Sequence, residues 1–148
     1  MSVLTAMTRG LLAGLVGTVA MTISETLEMR ATGREASTVP AQVGSKLLGI
    51  HPDGDEQVGR LNTVVHWGHG ALLGATRGVM SITGLRGLPA TLGHFAAFWI
   101  GDVALYKVLG IAPAPWRWKR QDLVIDVLHK GVYALVTGAA YEKLAGRR

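Results

Sequence analysis

The chain contains no cysteine. That excludes disulfides, thiolate metal sites and cysteine nucleophiles, and it leaves the redox compartment open. Charge is also scarce. Asp, Glu, Lys and Arg together make up 17% of the residues, against about 25% in a soluble domain. No GxSxG, Walker A, HExxH or strand-to-helix GxGxxG pattern occurs, and residue order nominates no Ser–His–Asp set. The acidic turn with Asp53, Asp55 and Glu56 falls short of a full calcium loop. Together these absences remove most soluble-enzyme readings.

What the chain does have is apolar length interrupted by glycine. Hydrophobic residues account for 49% of its 148 positions, and the length suits one domain. The 20 glycines sit within apolar runs, where each would cost a soluble helix about 1 kcal/mol against alanine. Membrane helices tolerate them because they let backbones approach closely. The net charge of +5 raises the question of nucleic acid. The cations, however, flank apolar segments and form no aromatic-interleaved stripe, which is the pattern of membrane-helix flanks.

Four segments approach the roughly 20 residues needed to cross about 30 Å of hydrocarbon: residues 9–29, 61–83, 90–109 and 122–144. The first could pass for a signal peptide, with Arg9 as its basic region. Three similar segments follow it, and Glu25 and Glu28 continue its helical pattern, so an uncleaved span is expected. None of the four is uniformly apolar, which suits a bundle in which each helix hides one face from lipid. Within the long connection, residues 40–50 space Val43, Leu47, Leu48 and Ile50 as a helix, predicting a short helix on the membrane surface. A turn pivoting on Gly54 should follow. Trp116 and Trp118, with Arg117, Lys119 and Arg120, have the composition of interfacial anchors. The expected fold class is therefore all-α, a four-transmembrane-helix bundle with one interfacial helix, forming a single integral membrane domain over residues 1–148. With four spans, Arg9, Arg77, Arg86, Lys143, Arg147 and Arg148 fall on one side, and Arg30, Arg34, Lys46, Arg60, Lys107, Arg117, Lys119 and Arg120 on the other. The positive-inside rule does not separate these sets.

Small residues recur every fourth position: Gly10 and Gly14; Gly70, Gly74 and Gly78; Gly93, Ala97 and Gly101. These faces fit tight packing within the chain, with a homo-oligomer or larger membrane complex as the alternative.

The ionisable residues fall at matched depth. At about 1.5 Å per residue, Glu25 lies about 7 Å inward from the membrane face bearing the long loop, His66 about 9 Å, His69 about 13 Å, Asp102 about 7 Å, Asp126 about 6 Å and His129 about 10 Å. Helical phase places His66 with His69, then Asp122, Asp126, His129 and Tyr133 on one stripe, and His94, Phe98, Asp102 and Tyr106 on another. Carboxylates facing lipid are costly, so these groups should point into the bundle. Lys130 should pair with Asp126 or Glu25, a reactive lysine being the functional alternative.

Three readings of the cluster remain open. It is a structural network in which Glu25 and Asp102 accept hydrogen bonds from imidazoles and cations. It is a proton or ion relay. Or Glu25, His66, His69, Asp102, Asp126 and His129 are donors for a metal, zinc or iron, or for haem through a histidine pair. Asp126-x-x-His129 has the spacing of a bundle metal motif, although Asp is shorter than the usual Glu and no second such motif exists.

The run GLLAGLVGTVAMTISETLEMRATGR has the form G-x-x-A-G-x-x-x-T-x-x-M before a Gly33-Arg34 turn. It resembles the first helix of several families of small bacterial membrane proteins. HWGHGALLGATRG is similar to the second helix of the YagU-like group of inner-membrane proteins. The resemblance covers two of the four segments. It implies a multi-pass protein of the bacterial inner membrane and carries no catalytic residue with it.

Overall fold

The structure is a computed structural model that describes residues 2–146. Arg147 and Arg148, assigned above to one membrane side, lie outside the described residues, as does Met1. The described chain is all-helical, with five α-helices: α1 Val3–Thr32, α2 Val39–Leu48, α3 Gly54–Met80, α4 Gly87–Val108 and α5 Arg120–Leu144. Three of them, α1, α4 and α5, are long and apolar enough to cross a membrane. The α3 helix is 27 residues long but carries Asp55, Glu56, Arg60, Asn62 and His66 in its first half.

Local chemistry sets the ends of the helices. Ser2 caps α1 by accepting the Thr5 N–H at 3.1 Å. Gly33 ends α1 with φ 71° and donates its N–H to Met29 O at 2.9 Å, which is the left-handed stop that glycine favours. Pro40 lies in the first turn of α2, where its missing N–H costs nothing. The chain turns at Gly54 as expected, with φ 75°, and α3 begins at that residue, with Asp55 and Glu56 favourably placed at the positive end of the helix dipole. The helix therefore starts seven residues earlier than the apolar pattern indicates.

The α1 helix is the central element, packed along α3 on one side and α5 on the other, while α4 leans mainly on α5. Glycine permits the α1–α3 approach. A Cβ added to Gly10 or Gly14 would collide with the backbone of Gly74, and one added to Gly78 would collide with Ala6 O. Gly70 faces the Thr18 side chain across the same seam. The Gly10/Gly14 and Gly70/Gly74/Gly78 faces thus pack against each other within the chain. The third face is different: Gly101 has no neighbour within 4 Å of such a Cβ, and Gly93 has only the Met80 methyl at 3.4 Å.

The buried core is small: Ala6, Ala13, Ala75, Ala90 and Ala134, with Phe98, Tyr133 and Tyr141. Large aliphatic side chains lie on the outside instead, among them Leu12, Val16, Ile23, Leu72, Leu92, Ile100, Val124, Leu128 and Leu135. A water-soluble monomer does not expose so continuous an apolar surface. Small residues inside and large apolar residues outside is the distribution expected where lipid is the solvent.

Candidate functional site

Towards the end of the bundle that carries α2, the helices part to form a cavity of about 450 Å³. Every member of the predicted polar set lines it: Glu25 from α1, His66 and His69 from α3, Asp102 from α4, and Asp126 and His129 from α5. Lys130 and Asp122 line it as well. Val39, Pro40 and Val43 of α2 form part of its wall. Two hydrogen bonds hold α2 there, from Ala41 N–H to Asn62 Oδ1 at 3.0 Å and from Asn62 Nδ2 to Ser37 O at 3.1 Å. Gly44 adds close packing against Leu61 and Val65. Trp118 also lines the cavity, and its Nε1–H donates to Pro113 O at 2.6 Å, which fixes the ring against its own loop. Trp116 is fully turned outward.

Within the cavity the groups form separate partnerships. His69 Nε2–H donates to Asp102 Oδ1 at 2.9 Å. Lys130 Nζ lies 3.0 Å from Asp126 Oδ1 and 3.3 Å from Asp102 Oδ2, so one buried ammonium bridges α4 and α5. It also sits 5.0 Å from the centre of the Tyr106 ring, a cation–π distance. Trp99 Nε1–H donates to the other Asp126 oxygen at 2.8 Å. Lys130 therefore pairs with Asp126, one of its two expected partners, and with Asp102 in place of Glu25.

The remaining histidines lean on α1 hydroxyls. The single Thr22 hydroxyl proton goes to Thr18 O at 2.8 Å, so His66 Nε2–H is the donor in its 3.2 Å bond to Thr22 Oγ1. His129 Nδ1 is hydrogen-bonded to Ser24 Oγ at 2.8 Å. His129 Nε2 is buried without a hydrogen bond, with Glu28 Oε2 at 3.6 Å. Glu28 is held mainly by Arg34, whose Nη2 approaches to 2.6 Å. Arg34 lies in the loop beyond α1, and its bond to Glu28 raises its pKa above the usual guanidinium value.

This arrangement corrects the structural-network expectation in one respect. Glu28, not Glu25, faces the imidazole and the arginine, because Glu28 lies nearly a full helical turn further along α1. Glu25 lines the cavity with neither a hydrogen bond nor an ion pair. The metal expectation is also not met by the geometry: among the described residues, no group of three or more His, Asp or Glu side chains is placed to hold a metal ion. The six predicted donors share a cavity but converge on no common point, since His69, Asp102 and Asp126 are each turned to an organic partner.

His94, predicted on the Asp102 stripe, lies in the core instead of the cavity. Its Nε2–H donates to Leu73 O at 2.8 Å, and its ring packs edge-on against Phe98. Residue spacing did not reveal Ser24, Thr22 or Trp99 as partners, because each supplies one polar atom from an otherwise ordinary helix position. It also missed a second polar centre in the other half of the bundle. There Arg77 is fully buried and paired with Glu142 at 2.7 Å, with its guanidinium 4.9 Å from the centre of the Tyr141 ring. Ser81 Oγ donates to Gly78 O, so the Tyr141 hydroxyl donates to Ser81 Oγ at 2.5 Å. Only the charge of Arg77 within an apolar segment could have signalled this site.

No family model, curated protein or solved structure matches the chain. The reading of the site therefore rests on its own geometry.

Proposed function

We propose that this chain is a four-span protein of the bacterial inner membrane that binds, and in that capacity takes part in moving, a small solute through its polar cavity. In this reading α3 is the fourth span, α2 lies at the interface, and the protein has no catalytic step. The observation that carries the proposal is the 450 Å³ cavity lined by the carboxylate–histidine cluster. Its volume is that of a ligand pocket, which typically spans about 300–1,000 Å³. A purely structural network would close around its polar groups. Here Glu25 lines the open space together with Met21, Leu105 and Ile125, and Asp122 lines it from an exposed position in the first turn of α5. Intramembrane ionisable residues of this kind mark solute and proton pathways. Assignment of α3 as a span is supported by its length and by its close packing along α1. The interfacial assignment of α2 is supported by its exposed Leu47 and Leu48 and by Lys46. The inner-membrane assignment is supported by the resemblance of the first two long segments to the YagU-like group.

The absence of cysteine supplies a clean background for a direct test. In sealed vesicles, a His66→Cys variant should react with a membrane-impermeant maleimide from one side only. A Leu128→Cys variant, on the outward apolar surface, should stay unlabelled. An inert His66→Cys thiol, or equal labelling of both variants, would refute the solute-accessible cavity.

A further inference from the structure

The cavity is unequally charged, and the inequality points to a ligand class. Four carboxylates line it, Glu25, Asp102, Asp122 and Asp126, against two cations, Arg34 and Lys130. Neither cation is available to a ligand. Arg34 donates two hydrogen bonds to Glu28 Oε2, from Nε at 3.0 Å and from Nη2 at 2.6 Å. Lys130 is spent on Asp102 and Asp126. An incoming anion would therefore meet two occupied cations and two unpaired carboxylates. An incoming cation would meet Glu25 and Asp122 with no competing ion pair to break.

The histidines that line the cavity are likewise turned to neighbours: His66 to Thr22, His69 to Asp102, and His129 to Ser24 and, at 3.6 Å, to Glu28.

The walls decide between an inorganic and an organic cation. No three His, Asp or Glu side chains among the described residues are placed to cage a metal. Trp67 and Trp118 also line the space, and aromatic rings attract ammonium-type cations as well as apolar groups.

Building on the cavity as a solute site, we propose that it binds an organic cation with an apolar body, such as a substituted ammonium compound, and that Glu25 is the carboxylate that anchors the charge. The apolar portion lies against Met21, Leu105, Ile125 and the aromatic walls, and the charged head lies towards Glu25, with Asp122 on its route in. A metal ion is excluded as the preferred ligand by the scattered donors, and an anionic headgroup by the occupied cations.

Two ions of nearly the same shape and opposite charge provide the test. Tetraphenylphosphonium and tetraphenylborate are each titrated into the full-length detergent-solubilised protein, and binding is read by calorimetry and by tryptophan fluorescence. Tetraphenylphosphonium should bind saturably. Glu25→Gln should weaken it at least tenfold, while Glu56→Gln, the same charge change at an exposed site, should leave it unaltered. Tetraphenylborate should show no saturable binding. Equal binding of the two ions, unchanged affinity in Glu25→Gln, or no saturable binding of either ion would each overturn the cation assignment. If thermal unfolding shows that Glu25→Gln does not fold, Glu25→Ala replaces it with the same two outcomes. The labelling of His66→Cys decides the cavity separately. Tetraphenylborate bound saturably and blocked by Ala36→Trp at the wall would keep the solute site while removing its preference for cations.

Discussion

At the level of single residues, three charged side chains among the described residues are buried: Arg77, Asp102 and Lys130. Arg77 is the clearest case, because it is completely enclosed and its Glu142 partner is largely so. Removing one member of a buried pair typically costs about 3–5 kcal/mol, since the other charge is left uncompensated. Arg77→Met should therefore destabilise the protein by about 3 kcal/mol, read as a lowered unfolding temperature in detergent. The double variant Arg77→Met/Glu142→Leu should recover most of the loss. A single variant as stable as the parent would show that the pair contributes nothing. Lys130 has the same character near the cavity, where Asp102 and Asp126 share its single charge. The Asp102 carboxylate also receives a histidine proton. These groups are bound to one another too well to serve as ligands, which is why the unpaired Glu25 takes that role in the proposal.

At the level of helices, close packing depends on glycine at a few positions. The α1–α3 seam brings Gly10, Gly14 and Gly74 into backbone contact, where a Cβ at Gly74 would strike Gly14. Gly74→Ala should cost about 1–3 kcal/mol, the usual penalty of overpacking. Gly101→Ala, on α4 with open space around it, should leave stability unchanged. Measuring both by denaturation in the same detergent tests the difference, and equal effects would remove the seam as the cause. Much of this was legible in advance. The four-residue spacing of glycine named the faces, and helical phase named the Asp102 and Asp126 stripes. The partners were not legible. Gly-x-x-x-Gly shows that a helix can be approached closely but not by which neighbour, so the α4 stripe looked equivalent to the other two and is the one without a mate inside the chain. The start of α3 was misplaced for a related reason: Asp53, Gly54 and Asp55 read as a turn by composition, whereas acidic residues also favour a helix N-terminus.

At the level of the molecule, the bundle has two polar centres separated by a glycine-rich middle. One is dry and closed around Arg77, and the other opens into the cavity beneath α2. The proposed four spans would put both chain ends on the same side of the membrane. Reporter fusions at the N- and C-termini should therefore give the same compartment signal, and opposite signals would remove α3 as the fourth span. The membrane character of the chain follows from the sequence alone, because low charge, long apolar segments and glycine within them are properties of composition and length. Matched depth also follows, because helix rise converts residue number directly into distance. Only the tertiary structure decided which groups meet. Residues at equal depth on different helices become partners only when the helix faces rotate towards each other. The Lys130–Asp126 and Glu28–Arg34 pairs form between near neighbours in the chain, whereas helix packing turns His69 and Lys130 to Asp102. It leaves Glu25, the first carboxylate expected to join the network, facing open space.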